Sequence, residues 1–71
     1  MIFHHYCPHH GMRGIDEKEA EYYLMRGFEL GFQCKDCNEE GRIYVNNQRV
    51  GTIDSLCKAR NYFVDKRNAT K

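Results

Sequence analysis

The sequence has no apolar run long enough to cross a bilayer, and no basic segment followed by an apolar one that would indicate a secretion signal. It also has no internal repeat, no low-complexity tract and no linker-like stretch. The net charge is only +1, so charge alone neither favours nor excludes a nucleic-acid partner. From these absences we expect a cytoplasmic protein with a single domain and no membrane partner.

The chain is also short, and 71 residues can bury only a modest core. A domain of this size usually needs an additional cross-link, which disulfide bonds or a bound metal can supply. Four cysteines and four histidines provide the material for either. Because thiols stay reduced in the cytoplasm, we expect a metal rather than disulfide bonds.

Two short motifs have the spacing of metal ligands, CPHH at residues 7–10 and CKDC at residues 34–37. In each motif two donor side chains are separated by two residues, and a sharp turn between them lets both reach one ion. We therefore predict a structural zinc site. Its four ligands are Cys7, His10, Cys34 and Cys37. Four protein ligands leave no open position for water or substrate, which is why this zinc would be structural rather than catalytic.

The two motifs resemble the knuckles of zinc ribbons and related zinc fingers, which often read C-P-x-C-G. His10 stands where such a knuckle would have its second cysteine. His9 is the alternative ligand at that position, whereas His4 and His5 are expected on the surface near a strand-like N-terminus. The resemblance covers only the two knuckles, and it implies a small fold held together by zinc.

Two other interpretations of the cysteines stay open. Cys34 and Cys37 could form a thioredoxin-like redox pair, although such a pair normally begins a helix, whose dipole lowers the thiol pKa. Cys57 follows a knuckle and a hairpin, an order that resembles a treble-clef zinc site, and Asp54 has a suitable spacing to join it. The other interpretation of Cys57 is a small buried side chain.

A first helix is predicted over residues 17–26. Asp16 and Glu19 form a pair similar to a capping box at its start, and Gly27 suits the position that ends it. The apolar stripe that faces the core is predicted to consist of Ala20, Tyr23 and Leu24.

A second helix is predicted over residues 55–67, with Asp54 as its N-cap. Its core-facing arc is predicted to consist of Leu56, Ala59, Phe63 and Val64. Arg60 lies within that arc, so its stem is expected to pack while its guanidinium reaches solvent, and a specific anion contact is the alternative. The domain would then span residues 1–67 and end in a flexible tail at 68–71.

Three strands are predicted between the helices. Residues 28–33, FELGFQ, alternate apolar and polar side chains, which is typical of a strand with one buried face. The segments RIYV and QRVGTI flank Asn46 and Asn47, two residues that suit a tight hairpin. Tyr44 and Arg49 would then pair on one side of that hairpin. The predicted fold is α+β, with a helix, a three-stranded antiparallel sheet and a C-terminal helix.

The C-terminal part is basic, with seven Lys/Arg against two Asp/Glu from residue 41 to residue 71. Its hairpin, GTIDS segment and helix resemble the end of plant AP2-type DNA-binding domains and of the arm-binding domains of some phage-type integrases. In those domains the helix braces a three-stranded sheet whose open face touches DNA. The nucleic-acid-binding residues expected on this basis are Arg42, Tyr44 and Arg49, with Lys58 and Arg60. Glu29 would share the same face from the first predicted strand.

Two functions are compatible with these patterns. The first is a regulatory protein that binds DNA or RNA through the basic hairpin. The second is an adaptor or inhibitor of a cytoplasmic protein, with Tyr22 and Met25 of the first helix as its contact surface. We expect no enzyme and no small-molecule substrate, because no nucleophile, base and orienting group can be assembled from the remaining residues.

Overall fold

The computed structural model describes the backbone of residues 1–69 and the side chains of residues 1–66. Two strands, β1 (Phe3–Cys7) and β2 (Gly11–Ile15), are followed by helix α1 (Glu17–Arg26) and a short 3₁₀ helix (Gly27–Leu30). A hairpin of β3 (Arg42–Val45) and β4 (Gln48–Arg49) then leads into helix α2 (Ile53–Ala69). Helix α2 therefore contains residues 68 and 69 of the predicted tail, and residues 70 and 71 lie outside the described residues.

The strands form one antiparallel sheet in the order β2-β1-β3-β4. The predicted α+β class is confirmed, but the prediction of three strands is wrong, because residues 28–33 form no strand and two strands, β1 and β2, precede the first helix. β1 is central, and its side chains alternate between buried Phe3, His5 and Cys7 and the half-buried pair His4 and Tyr6. The expectation that His5 lies on the surface is therefore wrong, since a strand that turns Cys7 inward also turns His5 inward.

Residues 28–33 do not form the predicted strand; they complete the 3₁₀ helix and a turn. Gly27, Gly31 and Phe32 all have positive φ angles, of 64°, 57° and 51°, which an extended strand cannot contain. The exposed fractions of Phe28 and Leu30 are 37% and 46%, whereas Phe32 is buried. The alternation in the sequence therefore did not correspond to a buried strand face.

The predicted hairpin is confirmed. Asn46 and Asn47 have φ angles of 51° and 68°, as a two-residue turn of this kind requires. Tyr44 pairs with Arg49, and the backbone N–H of Val50 donates to the carbonyl of Ile43 at 2.8 Å. The register therefore places the apolar side chains of the hairpin on the side of the helices.

Helix α1 begins and ends where the sequence predicted. The side chain of Asp16 accepts a hydrogen bond from the backbone N–H of Glu19 at 2.8 Å, and Gly27 ends the helix with a positive φ angle. Helix α2 is capped by Thr52 rather than by Asp54, because the Thr52 Oγ1 accepts from the backbone N–H of Ser55 at 3.1 Å. The prediction of an Asp54 cap is thus wrong by two residues.

Both helices pack on the same face of the sheet, and the core lies between them. Its buried members are Phe3, Ala20, Tyr23, Leu24, Phe32, Ile43, Val50, Leu56, Ala59 and Phe63. Val64 was expected in this core, but its exposed fraction is 45% because it lies beyond the edge of the buried arc. Within the part of the chain that the structure describes, no helix has the length and apolar character needed to cross a membrane.

Arg60 joins the two helices. Its Nε donates to the carbonyl of Leu24 at 2.7 Å, and one terminal nitrogen donates to the carbonyl of Met25 at 3.1 Å. These carbonyls belong to the last turn of α1, where a cation is favourable because the helix dipole is negative at that end. The guanidinium of Arg60 therefore binds the end of α1 rather than extending freely into solvent.

Gly41→Ala should destabilise the fold, because a Cβ atom at this buried position would lie 2.5 Å from His5 Nε2 and 2.6 Å from the carbonyl oxygen of Tyr6. We expect a loss of roughly 1–3 kcal/mol in the free energy of unfolding, measured by urea denaturation. Gly14→Ala is the matched control, since a Cβ atom there has no atom within 4 Å. Equal stability of the two variants would contradict the close packing at Gly41.

Candidate metal centre

The first knuckle is also the turn of the first hairpin. Cys7 is the last residue of β1, and His10 immediately precedes β2. Gly11 accommodates the sharp turn with a φ angle of 70°. The backbone N–H of His10 donates to Cys7 Sγ at 3.3 Å, so the turn itself directs a hydrogen bond at the sulfur.

The second knuckle lies in the loop between the 3₁₀ helix and β3. Two backbone hydrogen bonds close it, from Asn38 N–H to the carbonyl of Cys34 and from Cys34 N–H to the carbonyl of Glu39, both at 2.8 Å. Burial would raise the pKa of the Cys34 thiol, but backbone N–H groups of Asp36 and Cys37 that hydrogen-bond to its sulfur lower it overall. Burial raises the pKa of the neighbouring Cys37 thiol, so Cys34 is the more acidic of the two.

The two knuckles meet at one end of the sheet. Cys7 Sγ lies 3.1 Å from His10 Nδ1 and 3.7 Å from Cys37 Sγ, and Cys34 Sγ lies 3.8 Å from His10 Nδ1. All four donor atoms lie within 4.8 Å of one another. Around a tetrahedral ion with bonds of about 2.3 Å to sulfur, neighbouring ligands are about 3.8 Å apart. The four predicted residues could therefore hold one metal ion.

The structure also discriminates among the alternatives that the sequence left open. His9 is exposed and outside the cluster, and its ring packs edge-on against His10 at a centroid distance of 4.7 Å. Cys57 is exposed on α2, so it is neither a member of the cluster nor the buried side chain that was the other expectation. Cys34 and Cys37 lie in a turn rather than at the start of a helix, so no helix dipole acts on their thiols as it does in a thioredoxin-like redox pair.

Arg13 connects β2 to the second knuckle. One of its terminal nitrogens lies 3.5 Å from Cys34 Sγ, and both terminal nitrogens lie 3.3 Å from an oxygen of Asp36. A guanidinium in this position offsets the negative charge of neighbouring thiolates and fixes the loop that carries them. Sequence analysis missed this role, and the only signal for it was the position of Arg13 three residues after the first knuckle.

His5 and Tyr23 form a second support beneath the knuckles. Their rings stack at a centroid distance of 4.3 Å, and the Tyr23 hydroxyl accepts from the backbone N–H of Lys35 at 3.3 Å. His5 Nε2 donates to the carbonyl of Phe32 at 2.9 Å, because a carbonyl can only accept. Burial lowers the pKa of His5, so its ring is neutral near pH 7. The stack therefore holds the loop without placing a second cation beside Arg13.

The predicted nucleic-acid-binding residues lie in three places. Arg42, Tyr44 and Arg49 all project from the sheet face opposite the helices. Lys58 is on α2, where it lines a cleft of about 210 Å³ together with Arg49. Arg60 points to the end of α1 instead.

Glu29 does not share the sheet face with these residues, because it lies in the 3₁₀ helix. The expectation that Glu29 would place a carboxylate on that face is therefore wrong, because residues 28–33 form no strand.

Comparisons of this chain with protein families, with curated proteins and with solved structures found no significant match. The resemblances to zinc ribbons and to AP2-type or integrase arm-binding domains therefore have no support from a family match. The interpretation of the site depends on its geometry.

We expect the purified, reduced protein to contain one metal ion per chain, measured by elemental analysis. Cys37→Ser should lose the ion and the cooperative unfolding transition, because metal binding in zinc-finger peptides contributes on the order of 10 kcal/mol to folding. Cys57→Ser is the matched control and should keep both, since Cys57 is exposed and outside the cluster. Folded wild-type protein without metal would contradict the assignment.

Arg13→Met should weaken metal binding by roughly 10- to 100-fold, as losses of residues that support metal ligands usually do. Methionine keeps an apolar stem but removes the charge and the hydrogen bond to Cys34 Sγ. Competition with a chromophoric chelator measures the affinity. Arg26→Met is the control, because Arg26 contacts the ring of Tyr22 on the exposed side of α1. An unchanged affinity for Arg13→Met would show that Arg13 only closes the loop.

Proposed function

We propose that this chain is a small regulatory protein that binds nucleic acid, with a structural zinc ion maintaining the fold. The observation that carries the proposal is the open face of the sheet, which presents Arg42, Tyr44 and Arg49 side by side. The helices and the metal cluster all lie elsewhere, so this face is free of other elements of the described fold.

Zinc is the metal that best suits the donor set. Three cysteines and one histidine form one of the usual ligand sets of structural zinc sites. Thiolates also disfavour magnesium and calcium, which prefer oxygen ligands. When bound, the ion would supply a cross-link between the first hairpin and the loop at residues 34–37. Four protein ligands would fill the tetrahedral coordination of the ion and leave no position for water or substrate. We therefore propose a binding protein rather than an enzyme.

The charge of the sheet supports an anionic ligand. Its four strands contain no Asp or Glu, although the whole chain has ten of them. Arg42 and Arg49 are exposed on the open face, and Tyr44 is half-buried between them. Arginine side chains bind phosphate oxygens, and an aromatic ring between them can stack on a base. Lys58 lies on α2 and lines a cleft with Arg49 of the edge strand β4, so it adds positive charge at that edge of the sheet.

A protein partner is the second candidate. The observation in its favour is a set of exposed apolar side chains on α1 and the 3₁₀ helix. These are Tyr22, Met25, Phe28 and Leu30, with exposed fractions between 37% and 46%. Such a surface would suit an adaptor or inhibitor, as side chains of this kind are enriched in protein interfaces. Salt dependence separates the candidates, since binding through phosphates weakens steeply with salt.

Replacing Arg42 and Arg49 together by alanine should weaken nucleic-acid binding and make its salt dependence shallower. For a single strand, each lost phosphate contact should reduce the slope of log K against log salt by about 0.7. Fluorescence anisotropy with a labelled single strand and a labelled duplex at several salt concentrations measures both quantities. Metal content should not change, because neither arginine belongs to the cluster.

The matched control replaces Lys18 and Arg26 by alanine. Both residues lie on α1, which packs on the opposite side of the sheet. The control should bind like wild type, although it also loses two positive charges. Failure of wild type to bind either probe at low salt would refute the nucleic-acid proposal and leave the protein partner as the candidate.

A further inference from the structure

The open face of the sheet is larger than the hairpin, because β1 contributes to it. His4 lies opposite Tyr44 of β3, and Tyr6 lies opposite Arg42. The hydrogen-bonded register thus arranges the outward residues in two rows that run across the strands. The first row is Gly14, His4, Tyr44 and Arg49, and the second is Met12, Tyr6 and Arg42.

Three of these residues carry flat rings. His4, Tyr6 and Tyr44 are all half-buried, so each ring is held by its neighbours and still accessible. Neighbouring strands lie about 4.8 Å apart, and successive outward residues along a strand lie about 7 Å apart. The rings of His4, Tyr6 and Tyr44 therefore form a contiguous group at the centre of the sheet rather than isolated surface residues.

A shallow cavity lies beside this group. Its volume is about 160 Å³, and it is lined by His4, Met12, Tyr44 and Asn47. Gly14, next to His4, has no side chain to fill the space, and a Cβ atom at Gly14 would meet no atom within 4 Å. The floor of the cavity is thus two rings and a thioether, and Asn47 at its rim offers both a hydrogen-bond donor and an acceptor.

The cations lie at the margin of the ring group. Arg49 follows Tyr44 in the first row, and Arg42 follows Tyr6 in the second. The guanidinium of Arg42 lies 5.6 Å from the centre of the Tyr6 ring, close enough for a cation–π contact. A polyanionic ligand that lies across this surface would therefore contact rings at the centre of the sheet and positive charge along its β3–β4 side.

This arrangement is suited to unpaired bases. Paired bases in a duplex expose only their edges in the grooves, which proteins usually read with an inserted helix or a two-stranded ribbon. Both helices of this protein lie on the other face of the sheet, within the described residues. Rings on a sheet bind bases by stacking. Stacking requires that the flat face of the base is not already covered by a neighbouring base, as it is inside a duplex.

We infer that His4, Tyr6 and Tyr44 form a stacking platform and that the ligand is single-stranded nucleic acid, with Arg42 and Arg49 on its phosphates. This inference rests on the proposed function and narrows it. The cavity between His4 and Tyr44 holds one base, and Tyr6 contacts a neighbouring base. RNA and DNA strands share the chemistry that the platform uses, so both belong to the ligand class.

The test compares labelled probes of one length: a dT20 strand, an rU20 strand and a blunt 20-base-pair DNA duplex. At equal salt, wild type should bind a single strand at least ten-fold more tightly than the duplex. Tyr6→Leu combined with Tyr44→Leu should lower the single-strand affinity by roughly ten-fold or more, because each lost stacking contact has a large effect. The salt dependence should stay the same, since no cation is removed.

Three variants make the result specific. Tyr44→Phe keeps the ring and removes only the hydroxyl, so it should retain binding. Loss of binding in this variant would mean that Tyr44 acts through its hydroxyl rather than by stacking. Tyr22→Leu removes an exposed tyrosine from α1 and should have no effect. Metal content and thermal unfolding of each variant show whether the fold is intact, and His4→Leu tests the platform independently if the double variant is unstable.

The outcomes separate this inference from the proposed function. Equal or tighter binding of the duplex, with loss of binding in the Arg42 and Arg49 double variant, would overturn the single-strand inference but support the nucleic-acid function. Single-strand binding that is unchanged in folded leucine variants would overturn the platform. Binding of no probe at low salt would refute both.

Discussion

Three cysteine sulfurs and one imidazole nitrogen meet at one end of the sheet, and residues 31–41 fold around them without forming a helix or a strand. That loop can be ordered only if its few hydrogen bonds and the cluster together offset its conformational entropy, which is about 1–2 kcal/mol per residue for the backbone alone. Cys34 and Cys37 are the points at which the loop meets the first hairpin. A cation between the thiolates both cancels their repulsion and links the two segments.

The supports around the cluster explain why the knuckles have fixed positions. Arg13 of β2 binds Asp36 and approaches Cys34. The hydroxyl of Tyr23 on α1 accepts a hydrogen bond from the backbone N–H of Lys35. Lys35 also forms an ion pair with Glu19 of α1 at 3.4 Å. The loop is therefore tied to the sheet and to the helix on either side of the cysteines. Because His5 stacks on Tyr23, the strand that ends in Cys7 belongs to the same network.

Features set by local chemistry could be predicted from the sequence. The knuckle spacing, the Asp16 cap and the Asn46–Asn47 turn each depend on a few adjacent residues, and each occurs in the structure. For β1 only a strand-like N-terminus was expected, and β2 was missed, because the turn in CPHHG was interpreted as a ligand knuckle and not also as the turn of a hairpin. Residues 28–33 show the opposite error, since alternation predicts a strand only if the backbone can extend. The positive φ angles of Gly31 and Phe32 prevent that here.

The missed strands matter most for the open face. With a strand at residues 28–33, Glu29 would have placed a carboxylate beside Arg42 and Tyr44, and that face would have been of mixed charge. With β1 in its place, the same position is occupied by His4 and Tyr6, and the strands contain no acidic side chain. The net charge of +1 therefore hides an uneven distribution of charge. The acidic residues lie on the helices and loops, whereas the charged side chains of the four strands are all arginines. An anionic ligand responds to the charge within about 10 Å of its binding surface at moderate salt. For the proposed ligand, this distribution would therefore matter more than the total charge of the chain.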